Sequence, residues 1–393
     1  MKKLSLTVIG FYLGILASFS QSQDSSYKNK KLSLEEVNFV SGYYNQDGNH
    51  SAVTGGIGTE ELTDFANTIE LKLTGYDGKS RKHGLNLELG IDHYSSASSD
   101  KIDPSTISSA SYSDTRIYPT VGWTIQDLKK GTTVGLTGSF SHEYDYNSIG
   151  IAGSYTKATP DNNNEFTVKA QAYFDRWKVI YPIELRGPGN EKSAGSSPRN
   201  SFTASLSFSR VINEKLQFSV IADPTYQEGL LATKYQRVYF TDGSVKTETL
   251  PESRFKIPVG IRANYFAGDR FILRSFYRYY MDNWGVKAHS IELELPVKIT
   301  AFLSLSPFYR FYSQSASDYF APFEMHHVNA VNYTSDYDLS KFNSHFFGAG
   351  VRIIPPNGVF GIQRFSSAEL RGGHYTRSEG LNANSLSLHL TFK

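Results

Sequence analysis

The last stretch of the chain, Asn382 to Lys393, reads "NANSLSLHLTFK" and alternates strictly. Leu386, Leu388, Leu390 and Phe392 fall on one face of an extended strand, and Ser385, Ser387, His389 and Thr391 on the other. Successive side chains of a strand point to opposite sides, so one side of this segment is apolar and the other polar. One such strand suits a soluble sandwich as well as a barrel wall; its recurrence is what constrains the fold. The same period returns in Leu85, Leu87, Leu89 and Ile91 against Asn86, Glu88, Gly90 and Asp92. It returns again in Phe202, Ala204, Leu206 and Phe208 against Thr203, Ser205, Ser207 and Ser209, and in Phe347, Ala349, Val351 and Ile353 against Gly348, Gly350 and Arg352. Counted through, the pattern predicts an all-β chain of about sixteen strands of roughly 10 to 14 residues, a transmembrane antiparallel up-and-down barrel.

The connections support this reading. Short ones such as "YDGKS", "QDLKKG", "TPDNNN", "INEK" and "FAGD" alternate with long ones at Gln46 to Ala66, Ser96 to Ser111, Lys178 to Arg199, Gly229 to Ser253 and Ser315 to Asn343. Three connections on the long side are tight, near Asp145, Asn283 and Gly380. Short periplasmic turns and long outer loops are the expected asymmetry, and an even strand number puts both termini in the periplasm. Aromatics near the outer strand ends, Tyr43, Tyr44, Tyr94, Tyr144, Tyr146, Trp177, Tyr226, Tyr280, Trp284, Tyr312 and Tyr375, read as a girdle at the lipid headgroups. Phe392 sits almost at the carboxyl end, as in the closing strand of an outer-membrane barrel, but Lys393 follows where the usual signal ends on the aromatic.

The amino terminus has the anatomy of an export signal. Lys2 and Lys3 precede an apolar run from Leu4 to Leu16, and small residues follow at Ala17, Ser18 and Ser20. The expected layout is a signal peptide over 1–20, a periplasmic lead segment over 21–34 and the barrel over 35–393. The remaining chain has no run long enough for a membrane helix, and an exported chain can still cross a membrane as a closed barrel. With 40 Lys+Arg against 38 Asp+Glu, nothing in the charge balance calls for nucleic acid. The absence of Cys excludes disulfides, thiolate metal sites and amino-terminal lipidation of the mature chain.

Charges on the polar face are unevenly spread. The first half is mostly acidic, with Glu70, Glu88, Asp92, Glu143, Glu165 and Asp175 against Lys72, Arg116 and Lys169. The second half is mostly basic, with Lys256, Arg262, Arg270, Arg274, Arg278, Arg310, Arg352 and Arg371 against Glu292, Glu294 and Glu369. On a closed barrel the halves face each other. They either set up a field across an open lumen or pair into a network that fills it, and the sequence favours neither. His142, His326, His327, Asp336, Asp338 and His345 fall near the outer rim and have the donor types for a divalent metal. "TSDYDLS" lacks the Gly and closing Glu of a calcium loop, so solvated loop residues and no metal are expected. No G-x-S-x-G, H-E-x-x-H or phosphate loop is present, and "GGIGTE" has no helix after it. Ser141, His142 and Glu143 are neighbours on a strand and face alternate ways, so neither an enzyme nor a cofactor is expected.

The segments "SGYYNQDGNHSAVTGGIGTEELTD", "GIDHYSSASSDKIDP" and "NYTSDYDLSKFNSHFFGAGVR" resemble those of a bacterial domain-of-unknown-function family of exported outer-membrane proteins. The resemblance covers nearly the whole mature chain and implies fold and location. It puts no residue in a role. It also implies a link to a periplasmic thioredoxin-like protein, a small lipoprotein or a flavin transferase. The expectation is a porin-like barrel for small polar or charged solutes in the Gram-negative outer membrane, with membrane lipid and the barrel-assembly machinery as partners. The alternatives are a non-conducting scaffold of a redox or flavin system and a metal-binding or enzymatic barrel.

Overall fold

The computed structural model describes residues 30–95, 113–186 and 193–393. The proposed signal peptide, the lead segment up to residue 29 and most of the connection after Ser95 lie outside the described residues. Strand starts at Ser33, two residues before the expected barrel boundary.

The described chain holds twenty strands. In order they are β1 (Ser33–Asp47), β2 (Leu62–Tyr76), β3 (Lys82–Ser95), β4 (Ser113–Asp127), β5 (Thr132–His142), β6 (Tyr146–Ala158) and β7 (Asn164–Ile180). Then come β8 (Ser193–Asn213), β9 (Leu216–Ala222), β10 (Thr225–Gly229), β11 (Arg237–Tyr239), β12 (Val245–Thr247), β13 (Ser253–Ala267) and β14 (Phe271–Asp282). The last six are β15 (Lys287–Glu294), β16 (Val297–Lys298), β17 (Leu303–Gln314), β18 (Phe342–Ile353), β19 (Phe365–Arg377) and β20 (Asn382–Phe392).

Two wall strands are interrupted. β9 and β10 both lie between β8 and β13 and are split at Asp223 and Pro224. β15 and β16 both lie between β14 and β17 and are split at Leu295 and Pro296. Each break falls at a proline, which has no N–H to give to the ladder. The hairpin β11–β12 stands apart from the wall. The wall is therefore sixteen strands, and β1 pairs antiparallel with both β2 and β20. The sheet is a closed sixteen-stranded antiparallel barrel with no free edge.

The register fixes the faces. Val37, Phe39, Ser41 and Tyr43 lie opposite Phe392, Leu390, Leu388 and Leu386. Asn38, Val40 and Tyr44 lie opposite Thr391, His389 and Ser385 on the other face. Contacts that skip a wall strand occur on this second face. Arg371 of β19 reaches Glu294 of β15 at 2.7 Å, and Thr68 of β2 meets the Tyr118 hydroxyl of β4 at 3.3 Å. Only the concave side of a curved sheet brings such side chains together, so the polar face is the interior. The Leu/Phe face is bare on the outside, with Leu136 and Ile149 each about 60 % exposed. In water that belt would be a liability; in hydrocarbon it is the required surface.

The strand ends that lead into the long connections, Asp47, Ser95, Ile180, Gly229 and Gln314, lie at one rim, together with the tight hairpins at 143–145, 283–286 and 378–381. Both described ends of the chain lie at the opposite rim, among the short turns. There Val359, in the turn before β19, covers Val37, Phe365 and Phe392 on the outside of the closure seam. The Phe365 and Phe392 rings stack at 4.8 Å. Lys393 bridges to Glu36 of β1 at 3.3 Å, so the residue that follows the terminal aromatic ties the closing strand to the first.

The expected headgroup girdle is corrected by the register. Tyr44, Tyr94, Tyr146, Trp177, Tyr280, Tyr312 and Tyr375 share the interior parity. Five of the tyrosines, Tyr44, Tyr94, Tyr146, Tyr280 and Tyr312, bond side chains of the mouth through their hydroxyls, as Tyr94 does to Glu143 at 2.7 Å and Tyr280 to Asp282 at 2.7 Å. Trp284 is buried under a loop. Of the eleven, Tyr43, Tyr144 and Tyr226 remain as exposed rings. Position at a strand end does not set the face; parity does.

Replacing Leu136 by Arg puts a charge in the lipid belt and should cost about 2–4 kcal/mol. Thr137→Arg, one residue along and inward, should cost far less. Denaturant unfolding of the barrel refolded into vesicles checks the order of the two; a reversed order would turn the barrel inside out.

Candidate functional site in the lumen and its loop cap

The interior carries two chemically different walls. On the acidic side Asp92 of β3 accepts from Arg116 of β4 at 2.5 Å and from the Tyr118 hydroxyl at 3.0 Å. Glu70 accepts from Asn38 at 2.9 Å and lies 3.3 Å from Lys72, which also bridges Glu36 at 2.9 Å. Glu88 lies beside Glu70 across the β2–β3 pair and lines the same recess near the short-turn rim. Glu165 stands opposite Ser209 at the foot of β7. Glu143 sits in the β5–β6 turn at the outer rim, and burial raises its pKa.

The basic side runs from β13 to β19. Arg274 pairs with Glu294 at 3.1 Å, and Arg371 holds the other oxygen of that carboxylate. Arg310 and Glu292 stand 4.0 Å apart, Arg352 and Glu369 3.9 Å, Arg278 and Asp223 3.9 Å. Arg262 lies over the ring of Phe276 at 5.2 Å. Arg270 is off this wall: it occupies the turn before β14, and Arg274 and Arg278 share the inner face of that strand. Among the described residues no ion pair crosses the lumen. The guanidinium groups that pair, among them Arg274, Arg278, Arg310, Arg352 and Arg371, do so with carboxylates on their own side, so the pairs do not bridge the opening.

Phe276, Phe308 and Phe346 also face inward, which the sequence reading passed over. They share parity with Arg274, Arg310 and Arg352. The two-residue alternation of each strand is the signal that places them there.

The described long loops fold together over the outer rim. Phe240 bridges His326 and Thr249 bridges Tyr333, joining the loops 230–252 and 315–341. Val238, Phe240 and Tyr333 form one small core; Leu231, Ala232, Leu250 and Trp284 form another. Arg237 is only 5 % exposed and ties in two more loops. It pairs with Glu184 and donates to the Val53 carbonyl at 2.9 Å. The short turn Tyr337–Leu339 is held against the inner wall. Arg377 of β19 donates to Asp338 at 2.8 Å and to the Tyr337 carbonyl at 2.6 Å, while Gln314 of β17 donates to the Ser340 carbonyl at 2.6 Å.

Three carboxyls in this cap hold their protons unusually well. Burial pushes Glu248 up to about 8; it accepts from the Thr233 N–H and the Thr334 hydroxyl, each at 2.5 Å. Desolvation and the charges of Asp338 and Asp336 push Glu60 up to about 7. Asp336 is pushed to about 6 by desolvation and by Asp338. Lys234 and Arg377 face these groups and work in the opposite direction.

The metal candidates do not converge. His142 and His345 point outward, bonded to Asn147 at 2.6 Å and to the Tyr309 hydroxyl at 2.7 Å. His326 is buried against Phe240 and Tyr333 with its Nε2 3.0 Å from the Thr334 carbonyl, and burial lowers its pKa. His327 is exposed. Asp336 accepts from the Asp338 N–H, and Asp338 is taken by Arg377. A different set gathers, Asp114, Glu143 and Asp145, with oxygens within 4.8 Å. Those oxygens already accept from backbone N–H groups, the Tyr94 hydroxyl and the Trp177 indole.

A barrel of this closure and surface, with these inner walls, is of the outer-membrane type. A family described as proteins of unknown function, DUF3570, matches residues 20–354. The chain belongs to the DUF3570 family. No curated protein matches its sequence. Among solved structures it is similar to a BenF-like porin from Pseudomonas fluorescens Pf-5, at 8 % identity and a TM-score of 0.41, over 91 % of this chain and 98 % of the other. It is also similar to OccK9 (OpdG) of Pseudomonas aeruginosa, at 10 % identity and a TM-score of 0.44, over 92 % of this chain and 98 % of the other. At that level of likeness none of their properties passes to this DUF3570 protein.

A carboxyl whose folded pKa is raised stabilises the fold below its unfolded pKa and loses that contribution as pH rises through the folded value. For Glu248, Glu60 and Asp336 the window runs from about 4 to about 8. The cap should therefore exchange amide protons and be cleaved faster at about pH 9 than at about pH 5, after correction for intrinsic rates. Glu248→Gln should flatten the upper part of that dependence. A flat profile in the native chain would remove the buried carboxyls from the cap's energetics.

Proposed function

We propose that this DUF3570 protein is a solute channel of the Gram-negative outer membrane, with both termini in the periplasm and the long loops outside. The observation that carries the reading is that the ion pairs run along each wall and, among the described residues, none crosses the lumen. Opposed acidic and basic walls then keep a transverse field, which orients a dipolar solute as it passes. The residues that set the field are Glu70, Glu88, Asp92, Glu143 and Glu165 on one side. On the other they are Arg262, Arg274, Arg278, Arg310, Arg352 and Arg371, with Arg270 at the foot. No catalytic cycle is part of this proposal.

One observation favours a second reading. The loops form a cap with its own small cores rather than an open fringe. A capped barrel suits a non-conducting outer-membrane partner of an exported redox or flavin system, docked through that cap or through the periplasmic lead segment.

Planar-bilayer recording separates the two. Step openings support the channel, and their absence from a folded, inserted barrel sinks it. In the channel, Arg310→Glu with Arg371→Glu should move the reversal potential in a salt gradient toward cation preference. An unmoved potential would take those guanidinium groups out of the conduction path.

A further inference from the structure

On the basic wall the interior is not uniformly polar. Phe276, Phe308 and Phe346 face the lumen, and Phe308 and Phe346 lie 5.1 Å apart, centre to centre. Each ring is seated where the neighbouring strand has no side chain. A Cβ at Gly260 would come within 2.8 Å of the Phe276 ring, and one at Gly373 within 2.6 Å of the Phe346 ring. Phe308 fills the space at Gly348 in the same way, at 2.7 Å. The rings therefore lie along the wall instead of standing into the opening. The acidic wall seats rings in the same manner, over Gly90 and Gly150, but there they are Tyr118 and Tyr173. A phenol is at home beside water; a phenyl ring leaves apolar area in a polar lumen without a hydroxyl to offset it.

Each phenyl ring carries a guanidinium. Arg262 lies over Phe276 at 5.2 Å, Arg310 over Phe346 at 5.2 Å and Arg371 over Phe308 at 4.2 Å. With Arg274 these surround a recess of about 540 Å³ that also holds Glu292 and Glu294. Four guanidinium groups face two carboxylates there, so the recess keeps an excess of positive charge. Arg262 has no ion-pair partner among the described residues. Like charges on one face of a sheet need anions between them, and a planar guanidinium fork matches a carboxylate. The volume is that of a small-molecule site.

From this geometry we infer a binding site in the lumen for small aromatic carboxylates, with the ring on the Phe276/Phe308/Phe346 floor and the carboxylate among Arg262, Arg310 and Arg371. The inference deepens the channel reading and rests on it, because solute must reach the recess through an aqueous lumen. Neither half of the recess suffices alone. Guanidinium groups without the floor would take any small anion, and the floor without them would take any apolar ring.

The test is equilibrium binding to the full-length barrel in detergent micelles, by calorimetry, with benzoate, acetate and benzylamine as probes. Benzoate should bind about tenfold tighter than acetate, since the ring adds contact with an aromatic floor, and benzylamine should not bind. Phe308→Ala with Phe346→Ala should remove the preference for benzoate over acetate. Arg262→Gln with Arg310→Gln should weaken both anions. Folding of each variant is checked by heat-modifiable mobility, and the three probes test the native chain where a variant does not fold. Equal affinity for benzoate and acetate overturns the site, as does wild-type benzoate binding in a folded Phe308→Ala/Phe346→Ala variant. The same preparation is recorded in bilayers. Selective benzoate binding by a silent barrel upholds the site and removes the channel. Step currents with no benzoate preference remove the site and leave the channel.

Discussion

The structure depends on the hydrogen bonds between the first strand and the last. Hydrocarbon offers no partner to a backbone N–H or C=O, so a sheet in a membrane must end where it began. The β1–β20 ladder, from Val37 opposite Phe392 to Asp47 opposite Asn382, meets that demand. It is also the only ladder that no chain connection holds in place, since its strands are the ends of the wall. Reinforcement is found there: the Phe365/Phe392 stack under Val359 outside, and inside Lys393 on Glu36 with the Thr391 hydroxyl on Asn38 at 3.0 Å.

Closure sorts everything else into inside and outside. Once the sheet is a tube, the two-residue period becomes a partition between lipid and lumen, and a single parity decides each side chain's surroundings. This is why the wall was legible from the sequence. Leu85 to Ile91, Phe202 to Phe208 and Leu386 to Phe392 announce their faces without any partner in view. The short-turn and long-loop rims followed from the lengths of the connections. Two wall strands contain prolines and still hold their places, because Pro224 and Pro296 fall at breaks that leave parity intact on either side.

What stayed hidden in the sequence has a common cause: it depends on contacts between segments far apart in the chain. The strand-end aromatics were assigned to the headgroups by position along the strand. Tyr44, Tyr312 and Tyr375 instead meet at the mouth, around Arg377 and Asp338. The cap is the clearest case. Arg237 joins Val53 and Glu184, residues with no shared periodicity, and Glu248 reaches Thr334 across two loops. Loop residues carry no pattern that names a distant partner. His326 and Asp336 read as metal donors for the same reason: donor type is visible in a sequence, convergence is not.

The seated rings show how much the lumen depends on residues with no chemistry of their own. An inward aromatic on a barrel wall would crowd the opening unless the strand beside it left room. Gly260, Gly348 and Gly373 leave that room on the basic wall, Gly90 and Gly150 on the acidic one. The glycines let the ring pack flat, and the flat ring gives a guanidinium a face to rest on. Arg371 over Phe308 is held between that ring and Glu294 rather than ranging through the lumen. A long flexible cation becomes a positioned one, at a fixed height on a fixed wall. The basic wall is thus built from glycines upward: the gap seats the ring, the ring seats the arginine, and the arginine fixes where the positive charge stands.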